Sequence, residues 1–327
     1  MQADGEKYRT AVLYHIISTY QLLCAIVHHL TCTPDKKAVL LVPDFYTAKS
    51  PDILSIRGIF FDEVYLFPYL KIPHNKRTIP IDTKNAWENF VPYNLSDFEH
   101  IFVAGVQFYF ADLLIRNNIS FSCFEEAAGI YSRPKILEKN IGRKYPIQKR
   151  WAKKNKLLDY KNPLIDKVYC LMRAQKSKAD ISKAVDFDVM EHISSLSVEQ
   201  MDKLINYFVK EKYIGGKNSV IVLTEQFANL GKMTETQQYN LYSRMSEALP
   251  KELKVYVKPH PDDNLDYSKI FNDSVIINGK FPSELLPFIF EERPTYIASV
   301  SSTGEDVLNQ YFIPILGKNT HKMKGKR

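Results

Sequence analysis

The stretch that decides the fold is "VYVKPHP", residues 255–261. Its apolar, β-branched first half predicts a buried strand that ends at Lys258, after which His260 lies between Pro259 and Pro261. Each proline fixes its own φ angle and restricts the residue before it, so a stiff loop would hold the imidazole. In doubly wound α/β sheets, ligands bind beyond the carboxyl ends of the strands. The stretch therefore predicts an α/β fold and a functional role for His260, with a structural histidine at a turn as the alternative.

Strand-like runs recur on both sides of this stretch and alternate with helix-like patterns. In the C-terminal part of the chain, strands are predicted at 219–224, 254–258, 274–277, 295–300 and 313–316, and helices at 236–249 and 281–290. In the N-terminal part, strands are predicted at 11–17, 38–43, 63–69, 100–105 and 119–124, and helices at 20–30 and 108–117. This alternation is typical of βαβ units, so the 327 residues are interpreted as two α/β halves.

A second loop in the C-terminal half is rich in hydroxyl groups. The predicted strand 295–300 runs into Ser301, Ser302 and Thr303, and Ser302 has the spacing of a capping box with Glu305. Backbone amides at a helix start, together with hydroxyls and the positive end of the helix dipole, bind phosphate without a metal. A plain capped helix explains the spacing nearly as well. It is the pairing with the His260 loop that predicts a phosphate site.

The N-terminal half offers two similar loops. Ser18, Thr19 and Gln21 follow the first predicted strand, at a junction of strand and helix. Glu125 and Glu126 follow the strand predicted at 119–124. Adjacent carboxylates in a partly dry site can have one pKa raised enough for a general base to work near neutral pH. Two exposed glutamates at a helix start are the alternative.

The positive charge is concentrated in the middle of the chain. The net charge is +7, but residues 133–178 alone hold fifteen Lys or Arg against three acidic residues. Tyr145, Trp151 and Tyr160 lie among them, a composition that suits nucleic acid or an anionic surface. No spacing typical of an RNA-binding motif or a zinc finger accompanies the charge. We therefore favour a helical connector with a solvated face and expect no nucleic-acid partner.

Domain boundaries follow from these patterns. A helix is predicted over 197–213, with Ser197 and Gln200 as its capping box, and Gly215 and Gly216 end it. The predicted domains are a Rossmann-like N-terminal domain (1–132), a basic and largely helical connector (133–214) and a Rossmann-like C-terminal domain (215–327).

Residues 12–30 carry no formal charge, as in a membrane-spanning segment. His15, His28 and His29 interrupt the segment, which favours a buried strand running into a helix. The four cysteines are far apart and contain no C-x-x-C pair, which argues against a zinc site or a disulfide framework. A cytoplasmic protein is expected.

Four short motifs, in chain order, carry a family resemblance: Ser18-Thr19-Tyr20-Gln21-Leu22, Glu125-Glu126, Lys258-Pro259-His260-Pro261 and Ser301-Ser302. With them the chain resembles the bacterial sialyltransferases that use CMP-sialic acid, especially the lipooligosaccharide and capsule group and the related polysialyltransferases. The resemblance implies a GT-B architecture, in which two Rossmann-like domains face a central cleft and the C-terminal domain holds most of the nucleotide.

The resemblance also implies roles for individual residues. His260 would contact the CMP phosphate and act as the acid, and Glu125 or Glu126 would deprotonate the acceptor hydroxyl. Inversion at the anomeric carbon would follow, with no metal and no further cofactor. The residues implied to contact the donor are Lys258, Pro261, Ser301, Ser302 and Thr303, together with Ser18, Thr19 and Gln21.

Two departures from the family pattern leave the base open. In the family, glycine directly follows the acidic pair, whereas here Ala127 and Ala128 precede Gly129. Some members place the base after the first strand of the second domain, where the candidates are Glu225 and Glu235.

Three functions are weighed. The favoured one is transfer of sialic acid to a surface oligosaccharide, glycolipid or capsule precursor, with basic segments contacting an anionic membrane from the cytoplasmic side. The second is a polyol-phosphate transferase that uses CDP-glycerol, because such enzymes also carry a His-Pro loop and a serine-rich loop followed by an acid, here Asp306. The third is a non-catalytic protein that binds anionic polymers.

Overall fold

The computed structural model describes residues 11–48, 50–73, 77–175, 182–300 and 307–316. The chain divides into two compact units, Met1–Gln200 and Met201–Arg327. Each unit is built around a parallel β-sheet with helices between its strands. The predicted α/β fold class is therefore confirmed.

The sheet of the N-terminal unit has seven strands among the described residues, in the order β3-β2-β1-β4-β5-β6-β7. All neighbouring strands are parallel. The strands are β1 (Ala11–His15), β2 (Lys37–Pro43), β3 (Glu63–Phe67), β4 (Phe98–Val103), β5 (Phe121–Phe124), β6 (Ile165–Cys170) and β7 (Ala184–Asp186). Every residue of β1 is buried, as expected for a central strand of a parallel sheet.

The helices of this unit follow the strands. They are α1 (Thr19–Cys32), α2 (Ile79–Phe90), α3 (Tyr109–Arg116), α4 (Pro134–Lys144), α5 (Pro146–Lys154) and α6 (Val189–Ser194), and α7 (Val198–Phe208) lies across the boundary between the units. The uncharged segment 12–30 is divided between β1 and α1, as predicted. No helix in the described part of the chain is long and apolar enough to cross a bilayer.

The C-terminal unit has a five-stranded sheet in the order β11-β10-β9-β13-β14 and a small parallel pair, β12 with β8, among its described residues. The strands are β8 (Tyr213–Gly215), β9 (Ser219–Leu223), β10 (Lys254–Lys258), β11 (Val275–Ile276), β12 (Phe290–Glu292), β13 (Tyr296–Ser299) and β14 (Ile313–Pro314). Helix α8 (Glu235–Ala248) joins β9 to β10. Strand β10 has the predicted bounds, and the loop that carries His260 follows it.

The segment 133–214 is not a separate connector. Its strands β6 and β7 belong to the N-terminal sheet, and the division between the units falls after Gln200. Ile165, Val168 and Cys170 of β6 are buried, whereas Asp166 and Lys167 between them are exposed. The adjacent charges broke the alternation of apolar and polar residues, so the strand was not predicted.

Two predicted helices are shorter than expected or absent. Residues 281–290 form a 3-10 turn (Ser283–Phe288) followed by β12, because Pro287 lies inside the predicted helix and has no N–H to donate. The helix predicted over 197–213 ends at Phe208, and β8 leads into Gly215. Its capping box is present, since Ser197 and Gln200 exchange hydrogen bonds.

Each sheet has a topological switch point, where the connections from two adjacent strands run to opposite sides of the sheet. In the N-terminal unit β1 pairs with β2 on one side and with β4 on the other, and in the C-terminal unit β9 lies between β10 and β13. Ligands of doubly wound sheets bind beyond the carboxyl ends of the strands at such points. Ligand-binding residues are therefore expected in the loops after β1, β4, β9 and β13.

Candidate active site

Gln21 joins two loops of the N-terminal unit. Ser18 caps α1 by accepting a hydrogen bond from the backbone N–H of Gln21, at 3.3 Å. The side-chain oxygen of Gln21 accepts from the N–H of Ile17 at 3.1 Å, which leaves its amide nitrogen to donate to Oε2 of Glu126, also at 3.1 Å. The loop after β1 thereby orients a carboxylate that follows β5.

The second support of Glu126 comes from the loop after β4. The backbone N–H of Gly105 donates to Oε1 of Glu126 at 2.9 Å. Gly105 has a φ of +74°, and a Cβ there would lie 2.7 Å from the Ile17 side chain, so a larger residue would disturb the corner. Loops from three neighbouring strands, β1, β4 and β5, thus meet at one carboxylate beside the topological switch point.

A buried histidine fixes the corner that presents Gly105. His15 donates from Nδ1 to the carbonyl of Ala104 at 2.7 Å, so its Nε2 accepts from the hydroxyl of Tyr69 at 3.0 Å. That hydroxyl in turn accepts from the N–H of Phe110 at 3.2 Å. Burial lowers the pKa of His15 to about 4, which keeps the ring neutral. His15 is a structural residue.

The two glutamates of the acidic loop (residues 125–129) have different surroundings. Glu125 is only 3% exposed and accepts three hydrogen bonds: from Leu171 N and Gln175 Nε2 at 2.8 Å each, and from Gly129 N at 3.2 Å. Its carboxylate therefore ties the acidic loop to the segment after β6. Glu126 is half-buried and keeps part of its surface accessible.

Both carboxyl groups titrate near neutral pH. Burial raises the pKa of Glu126 to about 7, against hydrogen bonds from Gly105 and Gln21 that favour the ionised form. Burial also raises the pKa of Glu125 to about 7, against the hydrogen bonds from Leu171, Gln175 and Gly129 and the charge of Arg133. A half-buried carboxylate with such a pKa can accept a proton near pH 7.

Gly129, which is separated from the acidic pair by two alanines, shapes the turn of the acidic loop. Gly129 has a φ of +74°, and a Cβ there would lie 2.5 Å from the carbonyl oxygen of Ala174. Its N–H is one of the donors to Glu125. The turn thus accommodates Ala127 and Ala128 before the glycine, with Ala127 exposed.

In the C-terminal unit, the histidine loop (residues 259–263) follows β10. The backbone N–H of His260 donates to Oγ1 of Thr224 at 3.0 Å, and Thr224 lies at the end of the neighbouring strand β9. Nδ1 of His260 accepts from the N–H of Asp262 at 3.1 Å. Because Nδ1 is the acceptor, the proton of the neutral ring is on Nε2. The half-buried imidazole is thus a hydrogen-bond donor with a fixed orientation.

The other predicted donor-binding residues have varied positions. Lys258 is 5% exposed: its ammonium donates to the carbonyl of Gly279 at 3.0 Å and lies 4.3 Å from the ring centre of Phe281. Burial lowers the pKa of Lys258 to about 8, although Glu284 opposes this. Lys258 therefore supports the interior of the unit. Pro261 is exposed, and half-buried Thr19 accepts a hydrogen bond from Tyr46.

Ser301, Ser302, Thr303 and Asp306 lie outside the described residues. They follow β13, which pairs with β9 at the topological switch point. The alternative bases Glu225 and Glu235 are described: the half-buried Glu225 donates its backbone N–H to the hydroxyl of Tyr242 at 2.7 Å, and the exposed Glu235 is in the first turn of α8.

Comparison with known proteins identifies the family of the chain. The profile of the family described as Alpha-2,8-polysialyltransferase (POLYST) matches residues 88–304. The chain belongs to this family. It is therefore a glycosyltransferase of a bacterial sialyltransferase family, and the resemblance drawn from the four motifs is confirmed. A comparison with curated protein sequences gave no match.

Several solved structures are similar to this polysialyltransferase-family member. A putative UDP-N-acetylglucosamine 2-epimerase from Listeria monocytogenes has a TM-score of 0.51 at 11% identity, covering 93% of this chain and 78% of that one. S. aureus MnaA with UDP has a TM-score of 0.49 at 13% identity (90% and 75% coverage). Arabidopsis thaliana UGT89C1 with UDP-L-rhamnose has a TM-score of 0.47 at 8% identity (93% and 78%). The Listeria structure places this chain in the GT-B fold class.

Three further residues, absent from the sequence prediction, contact the loops of the candidate site. Gly105 donates to Glu126, Thr224 accepts from His260, and the backbone of Asp262 sets the tautomer of the ring. Thr224 and Gly105 could have been suspected because each ends a predicted strand. Nothing in the sequence signals the contact between Gln21 and Glu126, which are 105 residues apart.

Proposed function

We propose that the protein transfers sialic acid from CMP-sialic acid to a hydroxyl of a bacterial surface oligosaccharide or capsule precursor, with inversion at the anomeric carbon. Membership of the polysialyltransferase family supports the sugar and the donor. The observation that carries the chemistry is the Glu126 carboxylate, held by Gln21 and Gly105 beside the topological switch point.

Glu126 is the proposed general base. The acceptor hydroxyl oxygen forms a bond to the anomeric carbon while the bond from that carbon to the phosphate oxygen breaks, and the hydroxyl proton moves to Glu126. Its pKa of about 7 lets the carboxylate be ionised before transfer and hold the proton afterwards. Glu125 is less suited because it is only 3% exposed, whereas Glu126 is half-buried and keeps part of its surface accessible.

His260 is the proposed partner of the leaving phosphate. Its Nε2–H would donate to a phosphate oxygen of CMP as negative charge develops there. Because Nδ1 accepts a hydrogen bond from Asp262, the proton of the neutral ring is on Nε2. We therefore propose that His260 donates a hydrogen bond to the phosphate, a narrower role than the acid implied by the family resemblance. Ser301, Ser302 and Thr303 would bind the same phosphate without a metal.

Donor specificity and metal independence are tested together. Transfer to an oligosaccharide acceptor is measured with CMP-sialic acid and with CDP-glycerol, each with EDTA and with added Mg²⁺. We expect turnover with CMP-sialic acid alone, at equal rates in EDTA and Mg²⁺, and a product of inverted anomeric configuration by NMR. Turnover with CDP-glycerol alone would establish the polyol-phosphate alternative, and loss of turnover in EDTA would overturn the metal-free mechanism.

Contact with an anionic membrane is the proposed route to a lipid-linked acceptor. Helix α4 exposes Lys135, Lys139 and Arg143 at a spacing of four residues, beside Ile136, which is 45% exposed. One face of α4 thus combines positive charge with an apolar side chain, as interfacial helices do. The protein should sediment with vesicles that contain phosphatidylglycerol and not with neutral vesicles. Equal sedimentation of the K135E/K139E/R143E variant would contradict this proposal.

A further inference from the structure

A cavity of about 250 Å³ lies within the N-terminal unit, apart from the acidic loop. Helices α2, α3 and α5 enclose it. Ile79, Pro80 and Trp151 supply apolar surface, and Tyr109 and Gln148 supply polar groups. An apolar cavity with a few convergent polar groups is the usual form of a small-molecule site.

The polar groups of the cavity are held by buried contacts. Gln148, 5% exposed, donates from Nε2 to the hydroxyl of Tyr109 at 3.0 Å. Asp112, 3% exposed, accepts from Nε of Arg116 at 2.7 Å. Among the described residues, no hydrogen bond to the terminal nitrogens of Arg116 is seen. Gln148 and Asp112 are thus held in place, and Arg116 also lines the cavity.

Helix α5 separates its cations into two pairs. Lys149 and Lys153 form ion pairs with Glu138, at 3.4 and 2.9 Å. Arg150 and Lys154, each one residue further along, line the cavity and have no acidic partner in the described part of the chain. With Arg116, three cations border a cavity that contains one carboxylate, that of Asp112.

These groups define the ligand class. A carboxylate would be bound by Arg150 or Lys154, sugar hydroxyls by Gln148 and Asp112, and the apolar face of a sugar ring would pack on Trp151. The volume is below the usual range for drug-sized ligands, about 300–1,000 Å³, and so suits one monosaccharide unit. We infer that this cavity is a second sugar-binding site, specific for a carboxylated monosaccharide unit.

The position of the cavity connects it with the acidic loop. Tyr109 begins α3, and the residues just before that helix include Gly105, which donates to Glu126. The same loop and helix therefore hold the proposed base and one wall of the cavity. The unit bound there is either a free monosaccharide or a sugar within an acceptor chain. Choosing sialic acid as the sugar rests on the proposed function.

Binding is tested without any donor, by isothermal titration with three probes: N-acetylneuraminic acid, its linear α2,8-linked tetramer and uncharged N-acetylglucosamine. The variant R150Q/K154Q should bind the acidic probes about tenfold or more weakly, because it loses the charged hydrogen-bond donors to the carboxylate. The matched control K149Q/K153Q removes the same charge from the same helix and should bind within about twofold of the unsubstituted protein.

The outcomes separate the two sources of the ligand. Tighter binding of the tetramer, with a raised KM for an oligosaccharide acceptor and an unchanged kcat in R150Q/K154Q, assigns the cavity to the acceptor chain. Binding of the monosaccharide alone assigns it to a free sugar. The inference is overturned if neither acidic probe binds, if N-acetylglucosamine binds as tightly, or if the control loses as much affinity. A separate outcome is a protein that binds the acidic probes and yet fails to turn over CMP-sialic acid. That result would contradict the proposed donor but would still support the cavity as a sugar-binding site.

Discussion

The acidic loop of the N-terminal unit and the histidine loop of the C-terminal unit hold their reactive groups in different ways. Glu126 is oriented by Gln21 and Gly105, from two other strand ends, and burial sets its pKa near neutrality. His260 is oriented by its own prolines, by the backbone of Asp262 and by Thr224 on the next strand. The carboxylate therefore depends on distant side chains, whereas the imidazole depends mostly on local backbone.

Removing the imidazole should have the largest effect on transfer. His260→Ala deletes the proposed hydrogen-bond donor to the leaving phosphate, so kcat should fall about 10²–10³-fold with the melting temperature nearly unchanged. Steady-state kinetics and a thermal melt measure the two quantities. Pro261→Ala is the control, because it keeps the ring and loosens the loop, and should cost only a few-fold. Similar losses in both variants would mean that loop geometry, and not the imidazole, matters.

Glu125 should matter more for stability than for chemistry. Glu125→Gln places an amide N–H₂ among hydrogen-bond donors, leaving one or two of them unpaired, at a cost of about 2–4 kcal/mol in the free energy of unfolding. Urea unfolding at pH 7 measures this cost. A change below about 0.5 kcal/mol would show that the buried contacts of the acidic loop are not maintained in solution.

Replacing Thr224 should reduce activity less than removing the imidazole does, because Thr224 acts only by supporting the histidine loop. Thr224→Val keeps the shape of the side chain but removes the acceptor for the His260 N–H, so kcat/KM should fall about tenfold. Thr224→Ser retains a hydroxyl and should stay close to the unsubstituted enzyme. Equal kinetics of the Val and Ser variants would exclude this contact as a support of the ring.

Replacing Gln21 should shift the pH dependence of kcat only slightly. Its hydrogen bond lowers the pKa of Glu126, so Gln21→Leu raises that pKa and moves the rising limb of kcat to higher pH, by less than about one unit. The loss of activity should be larger at pH 6.5 than at pH 8.5. Ser18→Ala removes only the helix cap, costs about 1 kcal/mol of stability and should leave the limb in place.

The acidic loop and the histidine loop also differ in how much of their structure the sequence predicts. Strand β10 and the stiffness of the histidine loop depend on neighbouring residues. The apolar run that ends at Lys258 predicts the strand, and the two prolines predict the stiffness. The contact of Gln21 with Glu126 depends on the order of strands in the sheet, which no local pattern contains.

The role of a charged residue is harder to predict, because tertiary contacts decide it. Lys258 is predicted to contact the donor, and its ammonium is buried against Gly279 and Phe281. Asp166 and Lys167 interrupt the strand pattern of β6, which belongs to the N-terminal sheet and not to a connector. Lys258 is thus held away from water, whereas Asp166 and Lys167 stay exposed on a strand whose apolar residues are buried.

The most direct test of the account is the pH dependence of kcat for Glu126→Gln beside Glu125→Gln, measured at a temperature where both variants are folded. We predict that Glu126→Gln loses about 10²–10⁴-fold in kcat together with the rising limb near pH 7, because it cannot accept the proton. Glu125→Gln should keep both the limb and most of kcat. A limb that survives in Glu126→Gln and disappears in Glu125→Gln would contradict the assignment of Glu126 as the base.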